Sequence, residues 1–427
     1  MSAILEENGA EITDEFVDYP AWFTKLKEEG QKAYEEASWP TKKDENWRFG
    51  RPKNAQITEI PYAEEEGMVM DIEPAPEGVI RFTFVNGYCM SVEGEIPEGL
   101  IALPLNRAIH EVGECLESAI PPIQGKLGSG KLAAFHRASL EDGAAIQIGE
   151  NVSIESPIEI VHLFTGEGRA HTYLLVVAGE NSQVSITESF QSTNDDDAST
   201  VLAVSDIQVK KGANFKYLCA QELNEKSKLI RIGESVTGEG ADSTTAVLHI
   251  GSQWVRDEFY STVAGKHAEC KILSVSVPKG SQEFDQRTFQ HHASESCHSD
   301  LLYKNALYDK AKTIFSGLIF VDEGAHHTDA YQTCRNLLMS DTCEANSMPG
   351  LEINADQVAC SHGSTSAQVS DEEIFYLQAR GIPADQAREI IAEGFCTDVF
   401  QKLNSEALIQ FYVKKLKNTF TSFKNQL

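Results

Sequence analysis

Residues 179–186 read Gly179-Glu180-Asn181-Ser182-Gln183-Val184-Ser185-Ile186: a turn glycine, a short polar step, then side chains that alternate as on a pleated strand. The same layout returns at Gly143-Ala144-Ala145-Ile146-Gln147-Ile148, Gly212-Ala213-Asn214-Phe215-Lys216-Tyr217 and Gly265-Lys266-His267-Ala268-Glu269-Cys270-Lys271-Ile272. The opening glycines lie 36, 33 and 53 residues apart, the last gap spanning a further coil candidate at Gly240-Ala241. Such uneven intervals argue against a strict hexapeptide-type repeat. They suit a stack of strand coils with turns of varying length, each coil burying its inward side chains against its neighbours. A β-sandwich accounts for the same runs almost as well, so periodicity alone leaves two mainly β architectures open.

Outward from this region the text becomes helical. Residues 13–37 carry Phe16, Trp22, Phe23, Leu26 and Tyr34 at broadly helical spacing, and Pro40 ends the run. An irregular connection rich in Pro, Gly and Glu leads to residue 78, and Val79-Ile80-Arg81-Phe82-Thr83-Phe84 begins the strand text. Helical patches are expected at 106–119 and 130–139. Past Ala359, Ser370-Asp371-Glu372-Glu373 has the capping-box layout. Gly381 stops that helix, Pro383 starts one expected to end at Gly394, and a last helix runs from Glu406 to Phe423. The expected regions are 1–78, helical with a linker; 79–140, a mixed α/β entry; 141–366, the β core; and 367–427, helical.

Composition narrows the function classes. The 427 residues hold 36 basic and 65 acidic side chains, a net charge of −29, which repels phosphate backbones and anionic lipid. Nucleic acid and membrane are therefore poor partners. Glu6, Glu7, Glu11, Asp14 and Glu15 stand where a secretory signal would be basic, and no apolar run is long enough to span a bilayer, so a cytoplasmic location is expected. Nine cysteines, without a C-x-x-C pair, read as thiols in a reducing compartment.

Among those cysteines, Cys360 stands out because His362 follows two residues later. If the strand text of 351–360 continues, alternation sends both side chains to one face. Thiolate and neutral imidazole are both ligands for iron or zinc, and together they supply half a tetrahedral site. The bland alternative is a buried strand cysteine and a turn histidine bonded to backbone. Adjacent strand residues face opposite ways, so His291-His292 and His326-His327 make no chelate by themselves. Gly125-Lys126-Leu127-Gly128-Ser129-Gly130-Lys131-Leu132 nearly forms a phosphate-binding loop, but Leu132 replaces the magnesium-holding hydroxyl and Pro121-Pro122 precedes it in place of a strand. Asp195-Asp196-Asp197 reads as an exposed turn.

The order and spacing of Thr328-Asp329-Ala330-Tyr331-Gln332, Asn336-Leu337-Leu338-Met339, Pro349-Gly350-Leu351-Glu352-Ile353, Cys360-Ser361-His362-Gly363, Phe375-Tyr376-Leu377-Gln378-Ala379-Arg380-Gly381-Ile382 and Gly394-Phe395 resemble the SufB/SufD family of iron-sulfur cluster assembly proteins. Asp44-Glu45-Asn46-Trp47-Arg48 and the Cys-Ser-His-Gly segment resemble its SufD members. The resemblance implies a right-handed parallel β-helix core with helical domains at both ends, which decides between the two β architectures. It further implies a noncatalytic scaffold that pairs with SufB and binds the ATPase SufC. Cys360 and His362 would offer ligands to iron or a transient iron-sulfur cluster shared with SufB; flavin binding is left open. Cys334 is a third candidate ligand for that iron or cluster, since it sits where SufB members have a functional cysteine, and with Cys343 it gives the chain a SufB flavour. SufC docking would fall on Phe375, Tyr376, Arg380, Gly381, Ile382 and Phe395. The competing readings are a homodimeric scaffold acting without SufB and, from another class, a β-helix carbohydrate-active enzyme; the latter calls for clustered carboxylates, whereas those of the β-rich region are scattered.

Overall fold

A computed structural model of the chain describes residues 19–63 and 74–424. The expected helix start at residue 13, with Phe16, and residues 64–73 of the linker lie outside the described residues. Three strands, β1 (Arg81–Val85), β2 (Tyr88–Glu93) and β3 (Leu100–Pro104), lead into sixteen that form two parallel ladders. One ladder stacks β4 (Ala144–Ile148), β6 (Gly168–Ala178), β8 (Ser199–Val209), β10 (Lys228–Thr237), β12 (Trp254–Val263), β14 (Glu283–His292), β16 (Lys312–Val321) and β18 (Glu344–Ile353). The other stacks β5 (Ile158–Phe164), β7 (Gln183–Ser192), β9 (Asn214–Glu222), β11 (Asp242–His249), β13 (Glu269–Ser276), β15 (His298–Leu307), β17 (Asp329–Leu338) and β19 (Ala359–Gln368). Because the chain alternates between ladders at every strand, each pair of strands is one coil of a parallel β-solenoid, and the sandwich alternative falls.

Each coil turns at a residue in the left-handed region. Asn151, Asn181, Gly212, Gly240, His267, Ser296, His327 and Gln357 have φ between 53° and 67°, at successive intervals of 30, 31, 28, 27, 29, 31 and 30 residues. Asn181 donates its backbone N–H to Lys211, Gly212 to Glu239 and Gly240 to Lys266, so the turns stack as the strands do. His326 and His327 thus belong to a turn between strands and not to a strand. The expected continuous strand at 351–360 is also corrected: β18 ends at Ile353, the chain turns, and β19 starts at Ala359 in the opposite ladder.

The helices pack on the outer faces of the solenoid. α1 (Ala21–Glu36), α2 (Leu105–Glu111), α3 (Gly113–Ala119) and α4 (Gly130–Ala138) cover the β4 ladder, where Phe23, Leu105 and Ile109 bury Tyr173 and Leu175. α5 (Asp371–Gln378), α6 (Ala384–Phe400) and α7 (Glu406–Lys424) cover the β5 ladder. α5 opens with the expected capping box, and Gly381 stops it at φ 85°. α6 runs through Gly394 to Phe400, contrary to the expected stop, because Val399 and Phe400 continue its buried face. The outward row of Leu218, Ala246, Leu273 and Leu302 is apolar, and burying it draws the C-terminal helices along the sheet instead of across the end of the solenoid. Tyr412 Oη donates to the carbonyls of Cys219 at 3.1 Å and Ala246 at 2.5 Å, and Lys304 Nζ bonds Asp398 at 2.7 Å.

Candidate functional site

β19 pairs with β17 in parallel register: Cys360 stands on Ala330, His362 on Gln332, Ser364 on Cys334 and Ser366 on Asn336. Ala330, Gln332, Cys334 and Asn336 are all buried and point into the solenoid, so the register turns Cys360 and His362 to the same inward face. Among the described residues no further strand stacks on β19 or β18, and the inward face of this last coil is open at its outer edge. Cys360 is half-buried against Ile319, Val321, Ala325 and Ala330, while His362 is exposed. Partial burial raises the Cys360 thiol above its ordinary range, opposed by a hydrogen bond with the Ala330 backbone.

Cys334 does not join them. It lies one coil deeper, and its register partner is four residues along β19 from Cys360, about 13 Å at the rise of a strand. Burial pushes its thiol up to about 12, and Asn305, Asn336 and Ser347 surround the sulfur at 3.8–3.9 Å. Cys343 sits in the turn before β18 with its thiol on the Ser340 carbonyl at 3.1 Å. Among the described residues no group of three His, Cys, Asp or Glu converges on one metal position, and Cys360 and His362 share the inward face of β19 without a third such side chain beside them.

Phe375 and Tyr376 on α5 are 70 % and 58 % exposed, and the Arg380 guanidinium lies 3.5 Å from the centroid of the Tyr376 ring. Ile382 and Phe395, by contrast, are partly buried against the core under the C-terminal helices, and the Phe395 carbonyl accepts from Lys304 Nζ at 3.0 Å. The six positions therefore divide into an exposed aromatic and cationic patch and a supporting layer beneath it.

The other sequence candidates have structural roles. Ser129, ahead of α4, donates its backbone N–H and hydroxyl to the Glu258 carboxylate at 3.2 and 2.6 Å, so an acidic side chain stands where the near-match loop would need phosphate. Asn46-Trp47-Arg48 is clamped on the same sheet: Arg256 bonds the Asn46 carbonyl at 2.9 Å and lies 4.1 Å over Trp47, and Arg287 bonds the Arg48 carbonyl at 3.0 Å. His291 faces outward to Asp322 at 2.7 Å, while His292 faces inward to Ser299 at 2.8 Å. Asp195–Asp197 form a turn, with Asp196 bonded to Lys226.

Residues 162–395, more than half of the chain, match the SufBD core domain described for the SUF system of iron-sulfur cluster assembly. The chain belongs to the SufBD family. Its relatives include the iron-sulfur cluster assembly protein SufD of Escherichia coli, 26 % identical over 87 % of each chain. The SufD protein of Bacillus subtilis is 23 % identical over 91 % of this chain and 92 % of its own. A SufBD family protein of Synechocystis is 25 % identical over 85 % and 84 %. Within this family fold, the matched region takes in the last coil with Cys360 and His362 and most of the α5–α6 layer.

Sequence reasoning missed the amides that line the inside of the last coils. Gln286, Gln290, Gln332 and Asn336 are all inward and buried, and their hydrogen bonds run to Ser274, Ser276, Ser299 and Ser347. Phe284-Asp285-Gln286-Arg287-Thr288-Phe289-Gln290 carries polar residues on both strand faces, a pattern that ordinarily marks a solvated strand, so its burial was not readable from the pattern.

Proposed function

We propose that this chain is a noncatalytic SufD-type subunit that pairs with SufB through the open last coil and carries SufC on its C-terminal helices. Cys360 and His362 then contribute two ligands to iron or a nascent cluster, which is cargo, and SufB completes the coordination. What carries the reading is the half site itself: a thiol and an imidazole on one inward face of a coil whose two outer strand edges have no neighbour among the described residues. Unpaired strand edges are templates for another chain, and the arrangement invites a partner with the same ladder spacing. Thiolate is the preferred ligand of cluster iron and imidazole is an accepted substitute.

Residues 367–427 serve as the docking region for SufC, with Phe375, Tyr376 and Arg380 as the contact patch. No described helix is long and apolar enough to cross a membrane, and we assign the subunit to the cytoplasm. Hydrolysis of ATP belongs to SufC, and its movement would be passed through the C-terminal helices to the sheet that carries β19. Replacing Cys360 and His362 together by alanine should abolish cluster maturation while native mass spectrometry still detects the complex with SufB and SufC. Normal cluster yield from that variant would sink the site. A homodimer of this chain as the active unit would instead show as maturation without SufB.

A further inference from the structure

Gln332 lies directly beneath His362 in the β17–β19 register, on the same inward face. It is 1 % exposed, its amide NH2 donates to Gln290 Oε1 at 3.3 Å, and its carbonyl oxygen has no hydrogen-bond partner among the described residues. Gln290 is itself held from below, donating to Ser299 Oγ at 2.8 Å. The room for this amide comes from Gly317 on the facing strand, where a Cβ would collide with Gln332 Nε2. The side chain is thus anchored at its nitrogen and seated by a glycine, and it carries a buried acceptor with nothing bound to it. A buried acceptor left unmatched is unfavourable, and native interiors rarely keep one without a use.

Resting on the reading of Cys360 and His362 as a half site, we infer that Gln332 is a positioning residue for His362. Its side-chain carbonyl is placed to accept the ring N–H of the imidazole one coil further out when that exposed ring turns inward over it. A neutral imidazole has one N–H and one lone pair, so fixing the N–H toward Gln332 commits the other nitrogen, as a lone pair, to the open end of the solenoid. Histidines that bind metals ordinarily donate their second nitrogen to such an acceptor, and losing it weakens metal binding about 10–100-fold. The acceptor sits in the solenoid wall rather than in the partner, so His362 is oriented before any partner docks.

The test is the tautomer of His362, read from its imidazole 15N shifts in the full metal-free chain labelled at histidine, at a pH where the ring is neutral. His362→Ala assigns the signal. A single dominant tautomer is expected in the wild type, with a change in tautomer ratio of about fivefold or more in Gln332→Met, which keeps the volume and lacks the acceptor. Gln332→Glu retains an oxygen acceptor and should keep the wild-type ratio. A mixture of tautomers in the wild type, or the same shifts in a folded Gln332→Met chain, would overturn the inference. Cobalt(II) titration, read by the thiolate band, tests the underlying site separately. Cobalt binding that survives Cys360→Ala with His362→Ala removes the half-site reading even where the tautomer result stands. Cobalt binding that needs both residues and is equally tight in Gln332→Met removes Gln332 while the half site stands.

Discussion

The two ends of the solenoid are built on opposite plans. At the start, β1 extends the β5 ladder and is closed by β2, which runs antiparallel to it, while β3 closes the β4 ladder the same way. Beneath that closure the interior is apolar and aromatic: Phe82, Phe84, Phe164 and Phe190 are fully buried, with ring centroids of Phe164 and Phe190 6.2 Å apart. The polar exceptions there satisfy one another, as His162 bonds Glu188 at 2.9 Å and Tyr217 bonds the other Glu188 oxygen. At the far end, among the described residues, β18 and β19 have strand neighbours on one side only, and amides, hydroxyls, Cys334, Cys360 and His362 take up much of the inward face. A solenoid needs a polar or irregular terminal coil to stay monomeric. Closure at one end and a long regular edge at the other set the two ends apart.

The sharpest way to break this comparison is to truncate one apolar side chain to alanine at each end. Phe190→Ala removes a ring packed between Phe164 and His162 and should cost about 3–5 kcal/mol in urea unfolding. Leu351→Ala, in the half-covered last coil, should cost less than about 2 kcal/mol because its site already meets solvent. A loss at Leu351 as large as at Phe190, from half as many carbon atoms, would refute the contrast.

A second difference is electrostatic. The helices that cover the β4 ladder shut over carboxylates: burial raises Asp206 to about 6, and burial with the neighbouring Asp206 charge raises Glu234 to about 7. Both values lie above those of an unfolded chain, so between pH 4 and 7 the folded protein holds protons the unfolded one has released. Their contribution is therefore complete below pH 4 and declines as pH rises to 7. Glu234→Gln should leave stability at pH 4 nearly unchanged and raise it at pH 8 by on the order of 2 kcal/mol. Thermal unfolding of both proteins across that range checks this, and parallel curves would refute it.

How much of this was legible follows from the residues at the turns and on the strand faces. The coil repeat is regular, yet only Gly212 and Gly240 of the eight left-handed turn residues are glycines; Asn, Ser, His and Gln fill the rest, so counting glycines gave 36, 33 and 53 where the chain turns every 27 to 31 residues. The capping box at Ser370 is a local contact, and it was legible for that reason. Where the C-terminal helices lie was not legible, because it depends on the outward apolar row of four strands far apart in sequence. Cys360 and His362 were readable as a pair from their spacing alone. Their separation from Cys334 was not, since a register of two coils sets it.

The smallest perturbation tests that separation directly. Alkylation needs both access and thiolate. Cys334 has neither, being fully buried with its thiol at about 12, whereas Cys360 is half-buried at the open end. At pH 8 the folded chain should therefore modify Cys360 with iodoacetamide at least about 100-fold faster than Cys334, read by peptide mass mapping so that exposed Cys115 is counted apart. If instead Cys334 reacts on the time scale of Cys360, the interior of the last coils opens to solvent. Cys334 could then reach the half site, and the contrast between a sealed interior and an open edge would shrink to the final strand.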